Sequence, residues 1–243
     1  TSDNILIDAC LYNSFKQPMY HDDIIFLYSH GNSGDIQLVI QTDTVRYLSK
    51  YGSVFLYDYR GYGKSNGKPS DDGVFIDSMT TWLFLINQRH VNPQNIILFG
   101  HSLGTSVTAN LMMNILKSSH LKSSYLESCC LKSELPRGMI LQNPFYSMHR
   151  LIGDHVSIIK YLVQSKFNTN HFIEYIDKIL RNDIVINIIH SREDKLISYE
   201  HSCDLQKLIK NNPCEVFLVP GTHNLPLYDE DVHLMFFKIT NNK

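Results

Sequence analysis

The segment ILFGHSLGTS, residues 97–106, places Ser102 between two glycines, after an apolar run and before a run of small residues. The apolar run predicts a buried strand, and the residues that follow have helical spacing. Ser102 therefore falls on a sharp strand-to-helix turn, where Gly100 and Gly104 let the helix and the strand approach closely. Such a turn exposes the serine hydroxyl and directs the Leu103 N–H and the positive end of the helix dipole to the same spot.

Short runs rich in β-branched and aromatic residues recur along the chain and alternate with longer stretches of helical spacing. Most of these runs are nearly continuous in hydrophobicity, which is typical of strands covered on both faces. We therefore predict an α/β fold with a mostly parallel central sheet and helices on both of its faces. The six predicted core strands are residues 23–29, 53–58, 95–100, 138–143, 184–190 and 215–220.

Helices are predicted between these strands, and residues 1–243 are expected to form a single domain. An extended pair of segments is expected at 4–21, ahead of the first core strand. The Ser-rich stretch 117–138 is predicted to be a surface insertion, and residues 144–182 are predicted to form a short cap. The predicted helices cover residues 36–50, 71–90, 103–117, 196–211 and 228–240.

Composition excludes several classes of function. The 22 Lys and Arg residues nearly balance the 24 Asp and Glu residues, and without a basic cluster no nucleic-acid partner is expected. No apolar stretch approaches the roughly 20 residues that cross a bilayer. The five cysteines form no C-x-x-C pair, which favours a reducing compartment over a disulfide framework or a zinc site. The 12 histidines include no H-E-x-x-H motif, so no metal is predicted.

The segment YSHGNSGD, residues 28–35, directly follows the first predicted core strand. In hydrolases with a G-x-S-x-G turn, the loop at this place donates a second backbone N–H to the reacting oxygen. We assign that N–H to Asn32, the residue after His-Gly, and expect the Leu103 N–H to be its partner. His30 is expected to fix the loop and to take no part in catalysis.

A serine hydroxyl becomes a strong nucleophile only when a histidine accepts its proton and a carboxylate orients that histidine. In this class the acid follows the serine and precedes the histidine along the chain. Asp194 lies just beyond the fifth core strand and is the predicted acid, with Glu193 as its close rival. Asp177 and Asp183 precede that strand and would emerge at the opposite edge of the sheet.

The predicted base is His223, which follows the last core strand by three residues on a Pro-Gly turn. His190, His201 and His233 are its competitors. His190 falls at a strand terminus and the other two fall on predicted helices, so a surface or capping role is expected for all three. Ser102, Asp194 and His223 thus form the predicted catalytic triad.

Five motifs in this order resemble those of the α/β-hydrolase superfamily: SHGN, YDYRGYGKSNGKPS, GHSLGT, HSREDKLIS and GTHN. Among its branches the chain is most similar to the α/β-hydrolase-domain-containing proteins, which include membrane-tethered protein depalmitoylases. The resemblance implies the same triad and the same two oxyanion donors. The glycine-rich second motif is expected to be structural, with Asp58 and Arg60 holding its turns together.

The expected activity is that of a serine hydrolase that cleaves carboxylic ester or thioester bonds, and it needs no cofactor. The resemblance implies an ester, a lipid or a lipidated protein as substrate, and a place in the cytoplasm or at the cytosolic face of a membrane. Membrane association would depend on a segment outside this sequence. The alternatives are a serine peptidase of the same fold and a catalytically silent hydrolase fold that serves as a binding module.

The cap segment leaves two interpretations open. Its apolar side chains either line a groove for an acyl chain or simply pack on the sheet. The residues concerned are Leu151, Ile152, Val156, Ile158, Ile159, Leu162 and Val163.

Overall fold

A computed structural model describes residues 1–13, 24–123, 134–156, 164–181 and 183–241. Seven strands form one sheet in the order β1-β3-β2-β4-β5-β6-β7. All neighbours are parallel except β1, which pairs antiparallel with β3 at the sheet edge. The strands are β1 Ala9–Tyr12, β2 Ile25–Ser29, β3 Ser53–Tyr57, β4 Ile96–His101, β5 Gly138–Gln142, β6 Val185–Ser191 and β7 Cys214–Val219.

The helices lie on both faces of this sheet, and a small hairpin, β8 Gly221–Thr222 with β9 Leu225–Pro226, follows β7. A π-helical turn, Phe84–Gln88, and a 3-10 turn, Pro93–Asn95, precede β4. The helices are α1 Ile36–Val39, α2 Asp43–Leu48, α3 Asp71–Leu83, α4 Leu103–Ser123, α5 Met148–His155, α6 Thr169–Ile179, α7 Glu200–Leu208 and α8 Glu230–Asn241.

Alternation along the strands divides the core into two layers. In β2, Ile25 and Leu27 face the cluster that includes α3, α4, α6 and α7, whereas Phe26 and Tyr28 face the cluster that includes α1, α2 and α8. Each buried strand therefore carries apolar residues at most of its positions, which is why the predicted strands lack polar alternation. The predicted mostly parallel sheet with helices on both faces is confirmed.

The predicted helix boundaries differ from the observed ones where local capping intervenes. The segment 36–50 forms two helices because Asp35 accepts a hydrogen bond from the Leu38 N–H and Thr42 accepts one from the Val45 N–H, so each starts a helix of its own. The segment 71–90 is α-helical only to Leu83 and then widens into the π-helical turn. Helix α4 continues beyond its predicted end to Ser123.

Parts of three predicted segments lie outside the described residues. They are the second half of the extended pair, residues 124–133 of the surface insertion, and the cap residues Ile158, Ile159, Leu162 and Val163. Of the cap, α5 lies beside the Ser102 turn, since Met148 and Leu151 share a cavity with Ser102. Helix α6 packs instead on α4 and α7, and it buries Phe172, Ile173 and Ile176 in the core.

Within the described ranges, no helix combines the length and the apolar character needed to span a bilayer.

Candidate active site

The strand-to-helix turn holds Ser102 in a backbone conformation that residues other than glycine rarely adopt. Its φ is 53°, in the left-handed region, and its N–H donates to the carbonyl of Gln142 at 3.0 Å. A Cβ on Gly104 would overlap the carbonyl oxygen of Ser29, so helix α4 can begin this close to β2 only with glycine. The close packing of β4, α4 and β2 thus fixes the hydroxyl at the carboxyl edge of the sheet.

The structure brings the three predicted site residues together. The His223 Nε2 lies 2.9 Å from the Ser102 Oγ, and the His223 Nδ1 lies 2.6 Å from the Asp194 Oδ2. The Asp194 side chain is 1% exposed and that of His223 is 12% exposed, so water has little access to this hydrogen bond. Each residue follows the carboxyl end of a different strand, β4, β6 or β7.

The partners of Asp194 decide where the protons lie. Its Oδ1 accepts hydrogen bonds from the Leu196 and Ile197 N–H groups, both at 2.9 Å. Burial raises the pKa of Asp194, but the hydrogen bonds from His223 and from these two N–H groups lower the pKa overall. An ionised carboxylate only accepts, so the His223 Nδ1 carries the proton and its Nε2 is free to accept one from Ser102.

Two residues that the sequence analysis did not assign hold the backbone of His223. Its carbonyl accepts hydrogen bonds from the His101 Nε2 at 2.9 Å and from the Asn143 Nδ2 at 2.8 Å. The Asn143 Oδ1 in turn accepts from the Ser191 N–H at the end of β6. The only sequence signal for these roles is position, because His101 directly precedes the serine and Asn143 directly follows β5.

The loop after β2 approaches the serine as predicted for an oxyanion donor. An added Cβ on Gly31 would lie 3.4 Å from the Ser102 Cβ, and Asn32 lines both cavities that adjoin Ser102. The Tyr62 hydroxyl donates to the Asn32 Oδ1 at 2.8 Å, so the glycine-rich segment contributes a side chain to this loop. The Asn32 and Leu103 N–H groups remain predicted oxyanion donors.

The competing histidines and carboxylates have other partners. His190 is fully buried, with its two ring nitrogens near the Ser202 Oγ and the Ile197 carbonyl oxygen, and His201 is buried against Asp154. Of the predicted surface or capping role, the surface alternative is therefore wrong for both. His233 is exposed and contacts Tyr51.

Among the competing carboxylates, Glu193 accepts a hydrogen bond from the Gly221 N–H. Asp177 accepts from the Lys210 and Asn211 N–H groups, away from the site.

The glycine-rich segment is held by two separate carboxylate networks. Asp58 accepts hydrogen bonds from the Ile36 and Lys64 N–H groups, whereas Arg60 pairs with the buried Asp77 and with Asp3. Asp58 and Arg60 thus stabilise the turns without pairing with each other, because Arg60 lies against α3 and Asp58 lies against α1.

Two cavities meet at Ser102, Asn32 and Leu196. Cavity A has a volume of about 430 Å³, and its apolar lining residues include Val74, Leu103, Phe145, Met148, Leu151 and Phe167. Cavity B has a volume of about 300 Å³, and its polar lining residues include Ser33, Thr42, Thr44, Gln142, His223 and Asn224. Both volumes fall in the range of small-molecule sites.

Two histidines near the serine, the buried His30 and the half-buried His101, are held in the neutral form. Burial of the ring is the main cause that lowers the pKa of both His30 and His101 to about 4. The His30 Nδ1 donates to the Gly31 carbonyl, and its buried Nε2 has no partner among the described residues. The His30 ring also contacts the Tyr59 ring at a tilt of 34°, with ring centroids 4.0 Å apart, in agreement with the predicted role in fixing the loop.

This burial predicts a loss of stability in mild acid. In the unfolded chain histidine takes up a proton near pH 6.5, whereas the folded His30 resists protonation down to about pH 4. The contribution of the neutral His30 to the free energy of unfolding is therefore complete above pH 6.5. It is lost as the pH falls from 6.5 towards 4, and the loss amounts to about 2 kcal/mol at pH 5. Urea unfolding at pH 7 and pH 5 measures this loss. In His30→Gln the loss between the two pH values should be smaller by about 2 kcal/mol, and an equal loss in both proteins would contradict the assignment.

The described residues contain no group of three or more His, Cys, Asp or Glu side chains arranged to hold a metal ion.

The chain is similar in sequence to proteins of a known fold family. A family model described as the alpha/beta hydrolase fold matches residues 24–157. The uncharacterized protein R595 of Acanthamoeba polyphaga mimivirus is 33% identical, over 97% of this chain and 77% of its own. The human alpha/beta hydrolase domain-containing protein 17B is 28% identical, over 82% of this chain and 59% of its own. This chain therefore spans only part of each relative.

Solved structures show the same fold. An alpha-beta hydrolase from Vibrio vulnificus superposes with a TM-score of 0.65 at 21% identity, over 88% of this chain and 71% of its own.

Proposed function

The chain belongs to the α/β-hydrolase fold family, and from this premise we propose that it is a serine hydrolase that cleaves carboxylic ester or thioester bonds. The observation that carries the proposal is the unbroken series of hydrogen bonds from the Ser102 Oγ through His223 to Asp194. A serine that is hydrogen-bonded to a carboxylate-supported histidine is the activated form of this nucleophile.

The proposed reaction has two steps. As His223 accepts the hydroxyl proton, the Ser102 Oγ bonds to the carbonyl carbon, and His223 then gives that proton to the leaving oxygen or sulfur as its bond to carbon breaks. Asp194 stabilises the imidazolium between these transfers. The Asn32 and Leu103 N–H groups stabilise the oxyanion. Water then attacks the acyl-enzyme by the same route and releases the acid.

In its finer form, the proposal is that the substrate is a thioester on a lipidated protein or a lipid ester. Its support is cavity A, which gives an acyl chain an apolar surface directly beside the Ser102 hydroxyl. A protein or lipid partner, and a membrane association through a segment outside this sequence, are parts of the same proposal.

Labelling with a fluorophosphonate probe tests the proposed nucleophile. The probe phosphonylates only an activated serine, so we expect one adduct on the Ser102 peptide by mass spectrometry. Ser106→Ala is the matched control, because Ser106 is buried one turn further along α4 and should label like the wild type. Full labelling of Ser102→Ala, or no labelling of the wild type, would contradict the proposal.

A reducing, cytosolic location is also proposed. Cys10, Cys203 and Cys214 are free thiols in the described part of the chain. When the protein is isolated from its natural source and denatured without a reductant, alkylation should modify all five cysteines. Fewer modified thiols would argue for an oxidising compartment.

A further inference from the structure

The two cavities beside Ser102 differ in one catalytically decisive neighbour. His223 lines cavity B and is absent from the lining of cavity A, which instead includes Leu103, the residue whose N–H is the predicted oxyanion donor. In the acylation step, His223 must deliver its proton to the leaving oxygen or sulfur. The leaving group must therefore occupy the side of Ser102 on which His223 lies, and the acyl chain must occupy the other side.

The linings of the cavities fit this assignment. In cavity A, α5 and the loop before α6 contribute Met148, Leu151 and Phe167, which offer apolar contact to an acyl chain. In cavity B, Thr44 and Gln142 are polar and both hydrogen-bond to the Tyr228 hydroxyl, at 3.1 and 2.6 Å. Cavity B thus offers hydrogen bonds to a polar group, beside apolar side chains such as Leu38 and Val39.

Charge narrows the class of leaving group further. Among the described residues, no Lys or Arg side chain lines either cavity, and the one carboxylate in the linings is that of Asp71 in cavity A. An anionic group placed inside cavity B would lose water without gaining a cationic partner. A cationic group would meet no carboxylate in the lining of cavity B.

We propose that cavity A binds the acyl chain of the substrate and that cavity B binds a leaving group whose enclosed part is small, polar and uncharged. This inference rests on the proposed serine-hydrolase function. Simple hydroxyl and thiol leaving groups belong to the favoured class, and leaving groups that carry a phosphate or carboxylate next to the reacting bond do not.

The test uses four esters in which the length of the acyl chain and the charge of the leaving group are varied independently. Acetyl and dodecanoyl esters of ethylene glycol (neutral) and of 3-hydroxypropionate (anionic) are compared by kcat/KM. The wild type should favour the neutral leaving group about tenfold or more at either acyl length, because an unpaired anion would be desolvated. Equal or better hydrolysis of the anionic esters would overturn the proposal.

Two variants separate the cavities. Met148→Trp fills cavity A and should lower the dodecanoyl-to-acetyl ratio about tenfold or more, whereas Met148→Leu should not. Leu38 lines cavity B at its exposed side, and Leu38→Arg should lower the neutral-to-anionic ratio about threefold, whereas Leu38→Gln should not. If Met148→Trp changes the leaving-group ratio or Leu38→Arg changes the acyl ratio instead, the assignment is wrong.

Titration of the active serine with the fluorophosphonate probe accompanies every variant. If the wild type neither labels nor hydrolyses any of the four esters, the proposed function fails, and this inference fails with it. If the wild type labels and hydrolyses but the two ratios respond in the opposite way, only the cavity assignment fails.

Discussion

Replacement of Ser102 with alanine is expected to lower kcat about a millionfold, to the level supported by binding and oxyanion contacts alone. The Oγ is the atom that lies 2.9 Å from the His223 Nε2, and alanine leaves that nitrogen without a proton to accept. No described hydroxyl replaces it, since Thr105 donates to the Ser102 carbonyl. Ester hydrolysis by purified protein, followed over hours, measures the effect.

The control for this variant is Ser106→Ala, which removes a buried hydroxyl from the same helix. The Ser106 Oγ has no partner in the part of the chain that the structure describes, so its loss should change the free energy of unfolding and kcat little. Urea unfolding of both variants shows whether they fold. Activity of Ser102→Ala within tenfold of the wild type would remove Ser102 from the mechanism.

The strands could be predicted because hydrophobicity alone encodes them. Each of the six predicted runs is a strand of the parallel sheet, since burial of a strand between two layers favours a nearly continuous apolar run. The strand β1 has a mixed burial pattern at the sheet edge, and its antiparallel pairing with β3 depends on tertiary contact. A sequence pattern cannot supply such a contact.

The three proposed catalytic side chains could be predicted because they follow the ends of strands. Parallel strands bring their carboxyl ends to one edge, so residues just beyond β4, β6 and β7 meet there whatever their separation along the chain. The supporting residues could not be predicted in the same way. Asn143 and Tyr62 act through the His223 carbonyl and the Asn32 side chain, and these contacts depend on how loops from different strands face each other.

Burial is where the sequence reasoning failed most clearly. The position of His190 at a strand terminus and of His201 on a predicted helix favours a surface or capping role for both. In the structure each is buried with hydrogen-bond partners, the Ile197 carbonyl for His190 and the Asp154 carboxylate for His201. Neighbouring elements supply those partners, so the cost of burial is offset by contacts that no local pattern reveals.

Asp194→Asn is expected to lower kcat about ten-thousandfold, even though the side chain has nearly the same shape. The Leu196 and Ile197 N–H groups both donate to Oδ1, and an amide nitrogen cannot accept these bonds. The asparagine oxygen must therefore stay at that position, which turns the NH2 group towards the His223 Nδ1. His223 would then carry its proton on Nε2, facing Ser102, and could no longer accept the hydroxyl proton.

Because the loss arises from the wrong His223 tautomer, the fold should remain and substrate binding should change little. We expect kcat to fall while KM stays similar, and the fluorophosphonate probe to label Ser102 at a rate reduced in parallel with kcat. Glu193→Gln is the matched control, because this neighbouring exposed carboxylate contacts the Gly221 N–H and does not contact the His223 ring. Loss of activity in Glu193→Gln with retention in Asp194→Asn would transfer the acid role to Glu193. Retained activity in both would leave His223 without a carboxylate partner in catalysis, and the buried 2.6 Å contact would then be purely structural.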